Sequence, residues 1–305
     1  MHAVEIDNVV KTYGPQTAVD DLSLRVPTGS IYGFIGPNGS GKSTTLRMIM
    51  RIIAPDSGHI RVLGVETSDA ANDRIGYLPE ERGLYKKMVV REVLHYHAKL
   101  KGLLNPAKAV EEWLQRMRIA DAAKKKVEAL SKGMAQKIQF IATVVAAPEL
   151  VILDEPFSGL DPVNMEVVRD AINDLRRTGA TVIFSTHDMN VAERMCDFIF
   201  MIYKGKKVLD GSLAVIRDQY GTDTVKLRTH PAADLGQLQR LPGVTKVVDF
   251  GNLQEVRLDR GADSQNILRY ATSRGAVEHF EVAQPSLHDI FVRIAGEDWE
   301  KNGHA

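Results

Sequence analysis

The chain has 305 residues, 44% hydrophobic and 26% charged, an ordinary globular balance with room for one large domain and one small one. Thirty-nine basic and thirty-nine acidic residues cancel to a formal net charge of zero, so nothing global argues for nucleic-acid binding. The sole cysteine, Cys196, excludes an internal disulfide, fits a reducing compartment and reads as a small core residue. No apolar stretch suits a bilayer span: the best, Ile138 to Leu153, is interrupted by Gln139, Pro148 and Glu149. The start, Met1-His2-Ala3-Val4-Glu5, lacks the cationic and then apolar pattern of a signal peptide.

Val4 to Val10 and Leu22 to Val26 alternate apolar with polar residues, as half-exposed antiparallel strands do. The apolar run Ile31 to Ile35 predicts a buried strand. Directly after it stands Gly36-Pro37-Asn38-Gly39-Ser40-Gly41-Lys42-Ser43-Thr44, and a helix is expected over Thr44 to Met50. This is the G-x-x-x-x-G-K-[ST] phosphate loop between a strand and a helix. Its glycines turn the backbone so that successive N–H groups face phosphate oxygens, and the helix adds its positive end. In such a loop Lys42 would reach the β- and γ-phosphates and the Ser43 hydroxyl would join Mg²⁺. The pattern predicts a nucleoside triphosphate site.

Residues from about Val90 to Ala129 read as helices, with Val90, Val93, Leu94 and His97 on one face and Pro106 in a first turn. The one basic run, Lys124-Lys125-Lys126, suits a solvated helix end. Leu130-Ser131-Lys132-Gly133-Met134-Ala135-Gln136-Lys137 leads into a helix from about Met134 to Ala146, with Ser131 suited to the N-cap and Gly133 permitting phosphate to approach. Leu150 to Leu153 is a continuous apolar run, as in a central parallel strand, and it ends in Asp154-Glu155-Pro156. Carboxylates there sit outside the carboxyl edge of a sheet, where open α/β folds bind ligands. Asp154 would hold Mg²⁺ through a water, and Glu155 would orient, or take a proton from, the water attacking the γ-phosphate. Alone, the pair also reads as a surface turn before Pro156; the phosphate loop favours the site.

Together, the phosphate loop, Asp154-Glu155 and the Leu130–Lys137 stretch resemble the motif set of ABC-type ATPases. Ser158-Gly159-Leu160-Asp161 looks like that family's D-loop, Ser185-Thr186-His187-Asp188 like its switch-histidine segment, and Tyr13 stands where an aromatic stacks on adenine. The motifs cover residues 1 to about 220. The resemblance implies a phosphate-loop NTPase domain of α/β class with antiparallel β and helical subdomains, the helical one over about 85–130. It implies ATP and Mg²⁺ as cofactors, with Lys42, Glu155 and His187 as the hydrolytic residues. Residues Gly36 to Thr44, with Tyr13, would hold one nucleotide, while Ser131, Gly133 and Met134 would meet the γ-phosphate of a second subunit, a like copy or a paralogue. Ser43, Asp154 and Glu80 would face the metal.

Two positions depart from the family pattern. Glu80, in Tyr77-Leu78-Pro79-Glu80-Glu81-Arg82, replaces a usual Gln and adds negative charge beside the γ-phosphate. Lys132 replaces a common glycine, and either faces the partner's triphosphate or is solvated. In the family the start of the helical insertion, around Gly83 to Met88, receives the permease; an ordinary surface loop remains the alternative there.

A short helix is expected over Ser212 to Tyr220, a linker at Gly221-Thr222-Asp223, and a domain boundary at 221/222. Residues 222–305 then read β-α-β-β-α-β: Val225–Arg228, Asp234–Leu241, Val244–Phe250, Leu253–Leu258, Ser264–Ser273 and Val277–Val282. That order suggests a small α+β ferredoxin-like domain. A last helix over Ser286 to Ala295 opens on Ser286-Leu287-His288-Asp289, a capping-box pattern. The string Pro285 to Phe291 resembles bacterial sodium-extrusion-type ABC ATPases, as do Tyr77 to Tyr85 and Leu130 to Met134. The appended domain either regulates or dimerises, or it covers apolar surface.

What the resemblance implies for function is the ATP-binding and hydrolysing subunit of a bacterial-type ABC transporter. It would drive a separate membrane permease, in the export direction, from the cytoplasmic face of the cell membrane. The alternative is a soluble ABC ATPase acting on ribosome or DNA. Against it stand the single motif set, where ribosome-acting members carry two, and the lack of the long heptad runs of DNA-acting members. No nucleic-acid partner is expected.

Overall fold

The computed structural model describes residues 1–66, 73–81, 83–220, 224–230, 235–259 and 261–301, with the backbone alone for 235 and 296–301. The expected linker at Gly221-Thr222-Asp223 and Arg82 of the Tyr77–Tyr85 string lie outside the described residues. The chain divides into two compact units, Met1–Ser212 and Leu213–Ala305. The division therefore falls before the short helix, whereas the sequence pattern alone puts it after that helix, at 221.

The first unit opens with β1 (His2–Tyr13), β2 (Gln16–Pro27), β3 (Ile31–Ile35), α1 (Lys42–Ile49), β4 (Ser57–Val62), β5 (Val65–Glu66) and β6 (Ile75–Leu78). Three helices follow, α2 (Val90–Leu100), α3 (Ala107–Arg116) and α4 (Lys132–Val144). The unit closes with β7 (Leu150–Asp154), α5 (Pro162–Arg177), β8 (Thr181–Thr186), α6 (Met189–Met195), β9 (Phe198–Tyr203) and β10 (Lys206–Ser212). An antiparallel sheet has the order β2-β1-β4-β5, and a six-stranded sheet the order β10-β9-β3-β8-β7-β6, parallel except for β10 at its edge.

The central strands β3, β7 and β8 are buried at every position and so must be covered on both faces, and two cores do this. Side chains alternate across a strand, so Val151, Leu153, Val182 and Phe184 enter one core, packed with α2, α3, α4 and α5. Leu150, Ile152, Ile183 and Phe34 enter the other, against α1 and the inward residues Val4, Ile6, Val9, Leu22 and Leu24 of the antiparallel sheet. Each such side chain contributes roughly 1.5–3 kcal/mol when fully buried. Cys196 borders the first core, and burial pushes its thiol pKa up, as suits a core residue.

Local chemistry sets the helix limits. In α2 the N3 residue Glu92 reaches back to the Val89 N–H at 3.2 Å, and Val90, Val93, Leu94 and Ala98 form the buried stripe, with His97 half-buried beside it. Pro106 stands at the N-cap of α3 rather than in its first turn. The helix expected from Met134 starts two residues earlier, because Ser131 caps it by accepting from the Met134 N–H at 3.3 Å.

The second unit runs α7 (Leu213–Tyr220), β11 (Thr224–His230), α8 (Leu235–Leu238), β12 (Val244–Asp249), β13 (Gln254–Leu258), α9 (Gln265–Arg274), β14 (Ala276–Ala283) and α10 (Leu287–Lys301). Its sheet has the order β12-β13-β11-β14 with every pair antiparallel, the ferredoxin-like arrangement expected from the element order. Val225, Leu227, Val256 and Leu258 pack there with Leu238, Ile267 and Ala271. Of the helix expected over Asp234–Leu241, Asp234 lies outside the described residues and α8 covers Leu235–Leu238. The chain then continues in turns, the Arg240 N–H bonded to the Gln237 carbonyl at 3.1 Å and the Leu241 N–H to the Leu238 carbonyl at 3.2 Å.

At α10 the capping box is reciprocal. The Ser286 hydroxyl accepts from the Asp289 N–H at 3.1 Å, and Asp289 Oδ2 accepts from the Ser286 N–H at 3.1 Å and from its hydroxyl at 2.6 Å. Asp289→Ala is expected to cost about 1 kcal/mol, read as a lower melting transition of this unit in calorimetry of the full chain.

Candidate functional site

In the central sheet β3 lies between β8 and β9, and β7 lies beyond β8. Because these strands are parallel, the loop after β3, Asp154-Glu155 at the end of β7 and His187 after β8 all emerge at one carboxyl edge.

The loop after β3 curls around its own lysine. Gly41, with φ of 112°, is the N-cap of α1, so the helix begins at Lys42, two residues ahead of the sequence expectation. Gly36 has φ of 154°, and a Cβ there would overlap the Ile202 carbonyl oxygen, so glycine is required by both dihedral and space. Lys42 is 6% exposed, and its Nζ donates to the carbonyls of Gly36 at 2.7 Å and Pro37 at 3.0 Å. Burial lowers the pKa of this ammonium, while the carboxylates of Glu155, Asp154 and Glu80 oppose the shift.

Asp154 is 1% exposed and accepts from the Ser185 hydroxyl at the end of β8. The same hydroxyl oxygen accepts from the Glu155 N–H at 3.0 Å, so Ser185 fixes both carboxylate residues at once. Glu155 has φ of 50°, a left-handed conformation uncommon for a residue with a side chain. Its Oε1 lies 2.9 Å from His187 Nδ1, and the imidazole is largely exposed.

These groups open onto a cavity of about 320 Å³. Asn38, Gly39, Gly41, Lys42, Ser43 and Thr44 form one wall, Glu80, Asp154 and Glu155 a second, and Tyr13, Gln16 and Ala18 the rim. The Tyr13 ring is half-exposed. Gly36, Pro37 and Ser40 shape the loop without lining the cavity, and His187 is tied to it through Glu155. Ser131, Gly133 and Met134 do not line it.

Those three residues begin α4, which ties several loops together. From this helix Gln136 Nε2 donates to the Pro156 carbonyl at 3.1 Å, and Gln139 Nε2 to the carbonyls of Pro79 and Glu81 at 3.3 Å each. Lys137 Nζ donates to Asn164 Oδ1 at 2.8 Å; burial lowers its pKa, and Asp161 opposes this. Asp161 in turn caps α5 through the Asn164 N–H at 2.9 Å. The stem of Lys132 lies over Gly159. The sequence pattern assigns no role to Gln16, Gln136, Gln139 or Ser185. Two of them carry a signal, Gln136 within the Leu130–Lys137 stretch and Ser185 two residues before His187.

The donor set suits a polyphosphate with a hard cation. Backbone N–H groups at a helix start and a buried ammonium face anionic oxygens, and Ser43, Asp154 and Glu80 offer oxygen ligands. Among the described residues no group of three or more His, Cys, Asp or Glu side chains could hold a metal by itself. A Mg²⁺ ion completed by phosphate oxygens and water needs no such group.

Fold and loop define a phosphate-loop nucleotide-binding protein. The ABC transporter family pattern matches residues 19–158, and the C-terminal domain pattern of DrrA1-3-like ATP-binding proteins matches residues 211–295. The ABC transporter ATP-binding protein YhaQ of Bacillus subtilis (strain 168) is 42% identical over 298 residues, covering 97% of this chain and 99% of that protein. The daunorubicin resistance ATP-binding protein DrrA3 of Streptomyces coeruleorubidus is 31% identical, covering 97% of this chain and 96% of its own length. A solved ATP-binding subunit of an ABC transporter superposes with a TM-score of 0.68 at 30% identity, covering 72% of this chain and 93% of that one. The chain belongs to the ABC transporter ATP-binding proteins. No described helix is long and apolar enough to cross a membrane.

Proposed function

We propose that this chain hydrolyses Mg²⁺-ATP to drive a separate membrane permease, acting from the cytoplasmic face and in the direction of export. The observation that carries the hydrolytic reading is the place of Glu155. Its carboxylate borders the cavity that Lys42, Ser43 and Asp154 share, on a backbone held in a strained conformation by a neighbouring strand. Bound Mg²⁺-ATP would supply the phosphoanhydride to be cleaved and the cation that offsets its charge. Lys42 and the loop N–H groups bind and orient the phosphates, Ser43 and Asp154 hold the ion, Tyr13 stacks on the base, and Glu155 takes the proton of the attacking water. His187 holds Glu155 and reaches toward the γ-phosphate.

Ser131, Gly133 and Met134 lie off this chain's own cavity, which supports their action on the nucleotide of a second subunit, either a like copy or a paralogue. Export suits the resistance named for the Streptomyces relative. Tyr85, exposed beside Tyr96 at the start of the helical segment, suits the permease contact. The test is the size of the Glu155→Gln chain with and without Mg²⁺-ATP. A dimer formed only with the nucleotide is expected, and a monomer in both conditions overturns the two-subunit reading.

Glu80 places a third carboxylate on the cavity. Glu80→Gln replaces a charged oxygen ligand with a neutral one, and is expected to raise the Mg²⁺ concentration for half-maximal activity by about ten-fold. An unchanged Mg²⁺ titration removes Glu80 from the metal site.

A further inference from the structure

We infer that Gln139 is a positioning residue for Glu80, fastening the loop that carries this carboxylate to helix α4; the inference rests on reading the cavity as a Mg²⁺-nucleotide site. Gln139 is 5% exposed, and its amide nitrogen stands 3.3 Å from the Pro79 carbonyl and 3.3 Å from the Glu81 carbonyl. These are the two carbonyls that flank Glu80. Two backbone acceptors can be satisfied only by the NH₂ end of the side chain, so the chemistry of the neighbours fixes the orientation of the amide.

The other end of the amide points to the same role. Gln139 Oε1 is buried with no hydrogen-bond partner among the described residues. Burying an idle acceptor is unfavourable, and a Met or Leu would fill this space without that cost. What the glutamine contributes that an apolar residue does not is its pair of donated bonds. One turn further along α4, the single Thr143 hydroxyl proton is shared between the Gln139 carbonyl at 3.0 Å and the Tyr77 carbonyl at 3.4 Å. The two side chains form a seam along β6, and Gln139 extends it past the end of the strand to the carbonyls on either side of Glu80. From the same helix, Gln136 Nε2 donates to the Pro156 carbonyl, next to Glu155. One helix thus holds the loops of two of the three cavity carboxylates.

The test titrates Mg²⁺ against binding of a fluorescent ATP analogue to the full chain, so that it reads binding rather than turnover. Gln139→Met keeps the length and removes the donors. It is expected to raise the Mg²⁺ midpoint about five-fold, the effect of losing ordinary hydrogen bonds. Glu80→Ala raises it as well, and the double variant goes no further than Glu80→Ala alone, because Gln139 acts through Glu80. Gln139→Glu, of the same shape but repelled by both carbonyls, shifts the midpoint at least as far. A purely structural Gln139 lowers the melting temperature and leaves the Mg²⁺ midpoint in place; that result overturns the inference, as does failure of both Gln139 variants to fold. Nucleotide binding by the unaltered chain with no dependence on Mg²⁺ instead overturns the reading of the site beneath it.

Discussion

Glu155→Gln is expected to retain nucleotide affinity while losing about 10²–10⁴-fold of ATP turnover, the usual worth of a positioned general base. The substitution keeps the side-chain shape and the Glu155 N–H bond to Ser185, and it removes only the carboxylate that can accept a proton. The separation of effects is the diagnostic part. Steady-state hydrolysis measured beside nucleotide titration should show a collapsed kcat with unchanged binding. Turnover like that of the unaltered chain would remove Glu155 from the chemistry and leave the cavity as a binding site alone.

Lys42→Ala is expected to act on the earlier step, weakening nucleotide binding by about 10²-fold, as loss of a charged hydrogen-bond donor does. Lys42 faces Glu155, Asp154 and Glu80 across the cavity, so its removal leaves three carboxylates confronting the phosphates with no fixed cation from the protein. The fold should tolerate the change, because the lost bonds to the Gly36 and Pro37 carbonyls are offset by relief of a buried charge. Titration with a fluorescent nucleotide, with the melting curve as control, measures it. Unchanged affinity in a folded variant would contradict the phosphate-loop reading.

Residue types with one strong chemical meaning were legible in the sequence. Lys42 behind its glycines and Asp154-Glu155 at the end of an apolar run fall together on one cavity, because a parallel sheet brings the carboxyl ends of β3 and β7 to the same edge. The β-α-β-β-α-β order of the second unit was legible too, since each element had its own period and its own turn residues. Ser185 and Gln139 were not. Ser185 acts through contacts between strands, and Gln139 through backbone carbonyls 58 and 60 residues away, which any sequence possesses. Helix limits moved for a related reason. The start of α1 depends on the dihedral of Gly41 and that of α4 on the Ser131 cap, so local geometry decided what periodicity could only bracket.

The alternation of the central strands between two cores also gives neighbouring residues different neighbourhoods. Ile152 and Leu153 differ by one position, yet the first packs in the core with α1 and the antiparallel sheet and the second in the core with α4. In directed evolution of this chain, the parity of a position along β7 or β8 would therefore sort substitutions into two populations. One is expected to loosen the seating of α1, which carries Lys42 and Ser43, and the other the seating of α4, whose N-cap is Ser131. Selection for coupling without loss of affinity should accumulate changes on one parity and spare the other.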